Sequence, residues 1–335
     1  MSSQILITDP TLRDGNHAVG HKLSAEDYAA YCQAAEVANV PVIEVGHGNG
    51  LGGSSMLVGE SSVTDQDILS IARSNLTRAR LAIHVIPGFC TIKKDLSKAI
   101  DLGVDIFRVA SHCTEADVTH RHIRYIRDAN KEAWGILMMT HMASPEALLE
   151  EAKKMESYGA QAIVIMDSAG AQLVDDVKAR VSTLVNGLSI PVGFHGHNNL
   201  GMAIINSLTA VKEGATILDG TIRGFGAGAG NTQLEVLVGV LHKLGFDTGI
   251  DLFKILDTAV LAEKQLGFIS PSISSLSIVS GLAGVFSGFA KPVARAAAEY
   301  QVDPRKIFFR LGERNAVAGQ ESLIIELARE LAEGG

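Results

Sequence analysis

The sequence predicts a (β/α)8 barrel followed by a helical C-terminal domain, and three observations lead there. Eight short β-rich runs begin near residues 4, 41, 81, 105, 135, 162, 190 and 215, each followed by a longer amphipathic stretch. Most of these runs are unbroken apolar segments, as parallel strands covered on both faces must be. Eight such units in roughly 240 residues match a closed barrel in count and length, and no phosphate-binding glycine fingerprint follows Ile7 as a doubly wound sheet would have it.

The elements follow in order. Gln4-Ile5-Leu6-Ile7-Thr8 opens the first strand, and Pro41 to Val45, Asp105 to Val109, Ala162 to Met166 and Pro191 to Phe194 supply later ones. Gly103, Gly159 and Gly214 each stand where one helix ends and the next strand begins, the place of a left-handed cap. The barrel domain is assigned to residues 1–250. Residues 251–335 read as a helical domain, with apolar spacing over Leu252–Ala262, Pro292–Tyr300 and Gln320–Leu331. The stretch from Gly267 to Gly288, rich in Ser, Gly and small apolar residues, joins the two. It has no charge between Phe268 and Phe289, so it is expected to lie against the barrel mouth or another chain.

Composition narrows the function. A chain of 335 residues, 47% apolar and 20% charged, has enough apolar surface for one large core, which excludes disorder. The net charge of −8, without a basic run, argues against nucleic acid as a partner. Cys32, Cys90 and Cys113 are too few and too scattered for a disulfide framework or a metal clip, and a reducing cytoplasm suits them. No stretch has the length and apolarity of a membrane span, so a soluble protein is expected.

In a barrel of this kind the reactive groups stand at the C-terminal ends of the strands. His195 and His197 follow the seventh strand two residues apart, where alternate side chains of an extended segment point the same way. Asp14, at the mouth of the first strand, completes a two-His-one-Asp site with open positions. Nitrogen and oxygen ligands without sulfur suit Mn2+ or Mg2+, and Zn2+ also fits; the plain alternative is a His-x-His pair that only hydrogen-bonds. Arg13 supplies a permanent cation for a developing enolate, or else closes a loop on Asp14. His17, in the same loop, is a candidate proton acceptor. The glycine run from Gly224 to Asn231 reads as an anion nest or a flexible lid.

Taken together, Thr11-Leu-Arg-Asp-Gly15, His195-Gly-His197 and Gly228-Ala-Gly-Asn231 resemble the metal-dependent barrels of pyruvate aldolases, 3-hydroxy-3-methylglutaryl-CoA lyase and the isopropylmalate and homocitrate synthases. Glu44 to Leu51 with Gly53-Ser-Ser55, Ser111 to Asp117, Leu137 to Met142, Met155 to Gly159 and Gly319-Gln-Glu321 narrow the resemblance to the 4-hydroxy-2-oxovalerate aldolases, over about residues 5 to 330. The resemblance implies retro-aldol cleavage of a 4-hydroxy-2-oxo acid to pyruvate and an aldehyde, dependent on a divalent cation such as Mn2+. It makes Asp14, His195 and His197 the metal ligands, Arg13 the enolate-stabilising arginine, His17 the acceptor of the 4-hydroxyl proton and Ser168 a substrate-binding residue; Asn231, at the end of the glycine run, is read as substrate-binding beside them. It also implies a homo- or hetero-oligomer in which the C-terminal region meets an acylating acetaldehyde dehydrogenase.

Two departures stand out. Where the family has Gly-Tyr-Ala-Gly-Val-Tyr, this chain has Gly281-Leu-Ala-Gly-Val-Phe286, without either hydroxyl. At the end of the third strand it has His84 where aliphatic residues are usual. His84 is therefore read as a substrate-binding residue or a substitute relay, the alternative being that it faces the helices. Two other functions stay open: a Claisen-type enzyme condensing an acyl-CoA with a 2-oxo acid, and a non-catalytic barrel serving as a binding partner.

Overall fold

The computed structural model describes residues 4–334 except 57, 266, 268, 269 and 318, so two positions of the neutral stretch lie outside the described residues. Eight parallel strands close into a barrel in sequence order: β1 (Leu6–Leu12), β2 (Val42–Val45), β3 (Arg80–Val85), β4 (Ile106–His112), β5 (Glu132–Met138), β6 (Ile163–Asp167), β7 (Val192–Gly196) and β8 (Ile217–Asp219). The ring is completed by β1 against β8, with Thr8 opposite Asp219. The eight expected strands are all present.

The helices on the barrel are α1 (Gly15–Ala18), α2 (Ala25–Val37), α3 (Asp65–Asn75), α4 (Ser97–Asp101), α5 (His120–Asp128), α6 (Pro145–Tyr158), α7 (Val174–Gly187), α8 (Ala203–Lys212), α9 (Leu234–Lys243) and α10 (Leu252–Gln265). Helix α6 shows how local sequence sets the limits. Ser144 accepts a hydrogen bond from the Ala147 N–H at its start, Pro145 fills the first turn, and Gly159 ends it with φ +107°. The C-terminal unit consists of α11 (Ser275–Ala283), α12 (Ala290–Tyr300), α13 (Pro304–Glu313) and α14 (Glu321–Glu333). Among the described residues no helix is long and apolar enough to cross a membrane.

Two differences from the sequence expectation concern the C-terminal part. Helix α10, assigned above to residues 251–335, buries Ile255, Ala259 and Ala262 in the main apolar core around the barrel. A separate core of Val285, Phe289, Val293, Ile307, Phe308, Leu311 and Leu327 holds α12 to α14 together. The neutral stretch is also more than a connector. It forms α11, capped by Ser274, which reaches the barrel mouth: Asn199 donates to the Ser277 carbonyl, and a ring nitrogen of His141 lies 2.9 Å from the Gly284 carbonyl oxygen.

Alternation along the strands sorts side chains between two surfaces. Val42, Ala82, Ile106, Trp134, Ala162 and Ile217 fill the base of the interior, while Ile43, Ile83, Phe107 and Val109 pack outward on the helices. One pleat above that base the inward positions of β2, β3 and β4 carry Glu44, His84 and Arg108, all buried. The barrel is filled: apolar below, ionic towards the mouth.

Candidate active site

The site begins at an irregularity in β1. Its register against β2 shifts between Asp9 and Leu12, around Pro10, which has no N–H to give the ladder. The Pro10 carbonyl then accepts from the N–H groups of Arg13 and Asp14, turning both residues over the barrel mouth. Two strands round the ring, beyond β8, β7 ends in His195 and Gly196, and His197 follows. Gly196 cannot become alanine without meeting Phe194 at 2.9 Å.

Asp14, His195 and His197 meet there, with one ligand atom of each within 4.8 Å of the others. The Nε2 atoms of the two imidazoles face each other at 3.4 Å, and Asp14 Oδ2 stands 3.4 Å from one and 3.7 Å from the other. His195 Nδ1 lies 2.9 Å from Asp219 Oδ2; a proton held there as Nδ1–H leaves the Nε2 lone pair aimed at the centre. Burial would raise the Asp14 carboxyl, but Arg13 and the two imidazoles outweigh it and hold it well below the usual carboxylate range. Burial would lower His195, yet its bonds to Asp14 and Asp219 leave it raised; His197, buried without a carboxylate bond of that kind, falls to about 4. Two lone pairs and a carboxylate that converge in a buried space, without sulfur, suit a divalent cation.

Arg13 is held by its own partners. Its Nε donates to Glu44 Oε1 at 2.6 Å, its Nη1 lies 3.5 Å from Asp14 Oδ2, and Nη1 also reaches the Gly48 carbonyl at 3.4 Å. Arg13 Nη2 has no partner among the described residues, so one buried donor remains for a ligand oxygen. His17 lies over Gly48 so closely that a β-carbon there would come within 2.5 Å of its Nε2. Burial lowers its pKa and keeps it neutral, as a proton acceptor requires. Its ring meets His21 edge-on, and His21 in turn stacks on His47 with centroids 3.7 Å apart.

The other expected site residues take more varied places. His84 does not face the helices: it is inside the barrel, its Nδ1 3.7 Å from Glu44 Oε1, and burial together with Arg13 lowers it to about 3. Ser168 Oγ accepts from the Met139 N–H, and its carbonyl accepts from the Ser287 N–H of the C-terminal unit. Asn231 donates its side-chain amide to Asp14 Oδ2 and to the Phe225 carbonyl, both at 3.0 Å, so it braces a candidate metal ligand. The glycine run before it is neither an open nest nor a loose lid. Gly230 packs so tightly that a β-carbon would come 2.0 Å from the Gly224 carbonyl oxygen, and its φ is +82°. Leu282, where the resemblance noted above has a tyrosine, is 63% exposed.

Sequence reasoning left Glu44, Arg108 and Asp219 without roles. Arg108 bonds both carboxylates, Glu44 through Nη1 and Asp219 through Nη2. The signal was present: each is a charged residue at an inward position of an otherwise apolar strand, where an ion needs a partner.

Comparison with known proteins gives the family. Residues 4–261 match the HMGL-like family, and residues 271–333 match the DmpG-like communication domain. The chain is 74% identical to a 4-hydroxy-2-oxovalerate aldolase of Pectobacterium atrosepticum, over 99% of this chain and 97% of the relative. It belongs to the 4-hydroxy-2-oxovalerate aldolase family. A member from Spirochaeta aurantia is 60% identical over the same shares of both chains. The carboxyl transferase domain of Rhizobium etli pyruvate carboxylase superposes with a TM-score of 0.82, covering 99% of this chain and 61% of that one; at 16% identity it shares the fold alone. Membership of the 4-hydroxy-2-oxovalerate aldolase family makes the chain a carbon–carbon lyase with a divalent-metal site.

Proposed function

We propose that this aldolase cleaves a short 4-hydroxy-2-oxo acid, of which 4-hydroxy-2-oxovalerate is the type, into pyruvate and an aldehyde. The observation that carries the reading is the meeting of Arg13, Asp14, His195 and His197 in one buried mouth with neutral His17 beside them. Asp14, His195 and His197 would hold the cation, with Mn2+ the first choice. When bound, it supplies Lewis-acid polarisation of the 2-oxo acid.

The remaining work falls to the chain. A ring nitrogen of His17 takes the 4-hydroxyl proton, the C3–C4 bond breaks, and the electron pair passes into the pyruvate enolate while the aldehyde leaves. Arg13, always charged and fixed by Glu44, faces the enolate oxygen with a free N–H. His17 then gives that proton back to C3, directly or through water, which yields pyruvate and restores the neutral imidazole. Asn231 keeps Asp14 in place, Ser168 joins the mouth to the C-terminal unit, and His84 borders the substrate from the barrel interior. Residues 271–333, with their likeness to the DmpG-like communication domain, would receive an acylating aldehyde dehydrogenase that consumes the aldehyde.

The test is a coupled assay: purified protein, Mn2+ and 4-hydroxy-2-oxovalerate, with pyruvate reduced by lactate dehydrogenase. Metal-dependent pyruvate release is expected. Its absence across a panel of 4-hydroxy-2-oxo acids, together with thiol release from acetyl-CoA and a 2-oxo acid, would move the enzyme to Claisen chemistry. Co-purification with an acylating dehydrogenase, lost when residues 271–333 are removed, tests the partner.

A further inference from the structure

We propose that Arg108 is a positioning residue that couples the two halves of the site, fixing Arg13 through Glu44 and His195 through Asp219. Arg108 is fully buried at the centre of β4. Its guanidinium bonds Glu44 Oε2 with one terminal nitrogen and Asp219 Oδ2 with the other. The second oxygen of Glu44 takes the Arg13 Nε–H at 2.6 Å, and Asp219 Oδ2 lies 2.9 Å from His195 Nδ1. Five groups of alternating charge character therefore run beneath the mouth: Arg13, Glu44, Arg108, Asp219, His195.

The chemistry explains why this position needs arginine. Glu44 on β2 and Asp219 on β8 are carried by strands on either side of β1, and a planar fork with several donors can serve both at once, whereas an ammonium is a point charge. A carboxylate buried as deeply as that of Glu44 would otherwise take up a proton. Burial does push Glu44 upward, but Arg108 and Arg13 hold it at about 2, so it remains an acceptor for the Arg13 Nε–H. Beneath Arg108 the Trp134 ring lies 5.9 Å from the guanidinium carbon and closes the floor. Arg108 reaches no candidate metal ligand directly; it acts through the two carboxylates.

This inference rests on the metal reading above, and its test needs no substrate. Mn2+ affinity would be measured by electron paramagnetic resonance, and oxalate affinity on the Mn2+-loaded protein by calorimetry, for the full chain and for Arg108→Lys, Glu44→Gln and their double variant. Loosening an outer partner of a metal ligand costs about 10- to 100-fold in affinity. Arg108→Lys is expected to weaken Mn2+ by about tenfold and to weaken oxalate as well, with the far-ultraviolet spectrum unchanged. Glu44→Gln, on the side remote from His195, should also weaken Mn2+ in the native background and lose that effect when Arg108 is already lysine. Native Mn2+ and oxalate affinities in Arg108→Lys, or additive effects in the double variant, would overturn the coupling. Should Arg108→Lys not fold, a Glu44→Gln/Asp219→Asn cycle decides instead: non-additive Mn2+ affinities support the relay, and additive ones sink it. Failure of the native protein to bind Mn2+ would count against the proposed function itself.

Discussion

Two groups of histidines stand at the same mouth and differ in what holds them. His195 and His197 turn their Nε2 atoms towards each other and towards Asp14, and His195 is backed by Asp219. His17, His21 and His47 pack ring against ring and are tied to backbone: the Asn49 N–H lies 3.0 Å from His47 Nδ1, and the Gly59 carbonyl oxygen lies 3.0 Å from its Nε2. The histidines of one mouth thus divide into a pair that converges with Asp14 on a candidate cation site and a stack tied to peptide groups and to one another.

Replacement of the charged member of the first group should have the largest effect. Asp14→Asn keeps size but removes the negative charge; a loss of several kcal/mol of Lewis-acid stabilisation predicts a fall in kcat/KM of roughly 10^3-fold or more. Metal content by mass spectrometry should fall with it, and full activity with retained Mn2+ would erase the distinction between the groups. His17→Gln should lower kcat by about 10^2- to 10^3-fold, the usual contribution of a positioned base, while Mn2+ affinity stays native. A parallel loss of metal would place His17 in the other group.

Gly48→Ala sharpens the boundary. Its methyl would displace the His17 imidazole without touching Asp14, so a reduction in kcat of about tenfold with unchanged Mn2+ binding is expected from steady-state kinetics beside a metal titration. His47→Gln concerns stability alone. Burial lowers the His47 pKa from 6.5 to about 4, so on acidification the unfolded chain takes up that proton first. The stabilisation is complete above pH 6.5 and is lost as pH falls towards 4, at most about 3 kcal/mol. Melting curves of the native protein should therefore fall more steeply across that window than those of His47→Gln, in which the side-chain amide still offers a donor to Gly59.

The fold was legible because it is periodic. Apolar runs and helix-ending glycines repeat, and the (β/α)8 closure follows from counting them; Gly159 ends α6 with positive φ where its place in the sequence requires. Asp14, His195 and His197 stood out in the sequence because they fall at or just beyond the C-terminal ends of β1 and β7, where the apolar runs give way to polar residues. Glu44, Arg108 and Asp219 were visible as residues but not as a network, since their pairing depends on registering three strands that lie far apart in the chain. The stacking of His21 on His47 is hidden for the same reason. Helix α11 is not apparent from the sequence because its Ser- and Gly-rich residues have low intrinsic helix propensity, and it is held by packing Leu276, Val279 and Ala283 on the C-terminal core, with Asn199 and His141 at the barrel side. Asn231 reads from the sequence as a ligand-binding residue; that its side-chain NH2 also reaches Asp14 Oδ2 and the Phe225 carbonyl depends on a tertiary contact that no local pattern announces.

Lys291, at the start of α12, reaches across to the barrel and donates to the His17 carbonyl at 3.2 Å and to that of Ala18 at 3.5 Å. The short helix bearing His17 is thus tethered at its far end by the C-terminal unit. On the function proposed above, a displacement of that unit would be felt first by the backbone that carries His17, before any of the candidate metal ligands.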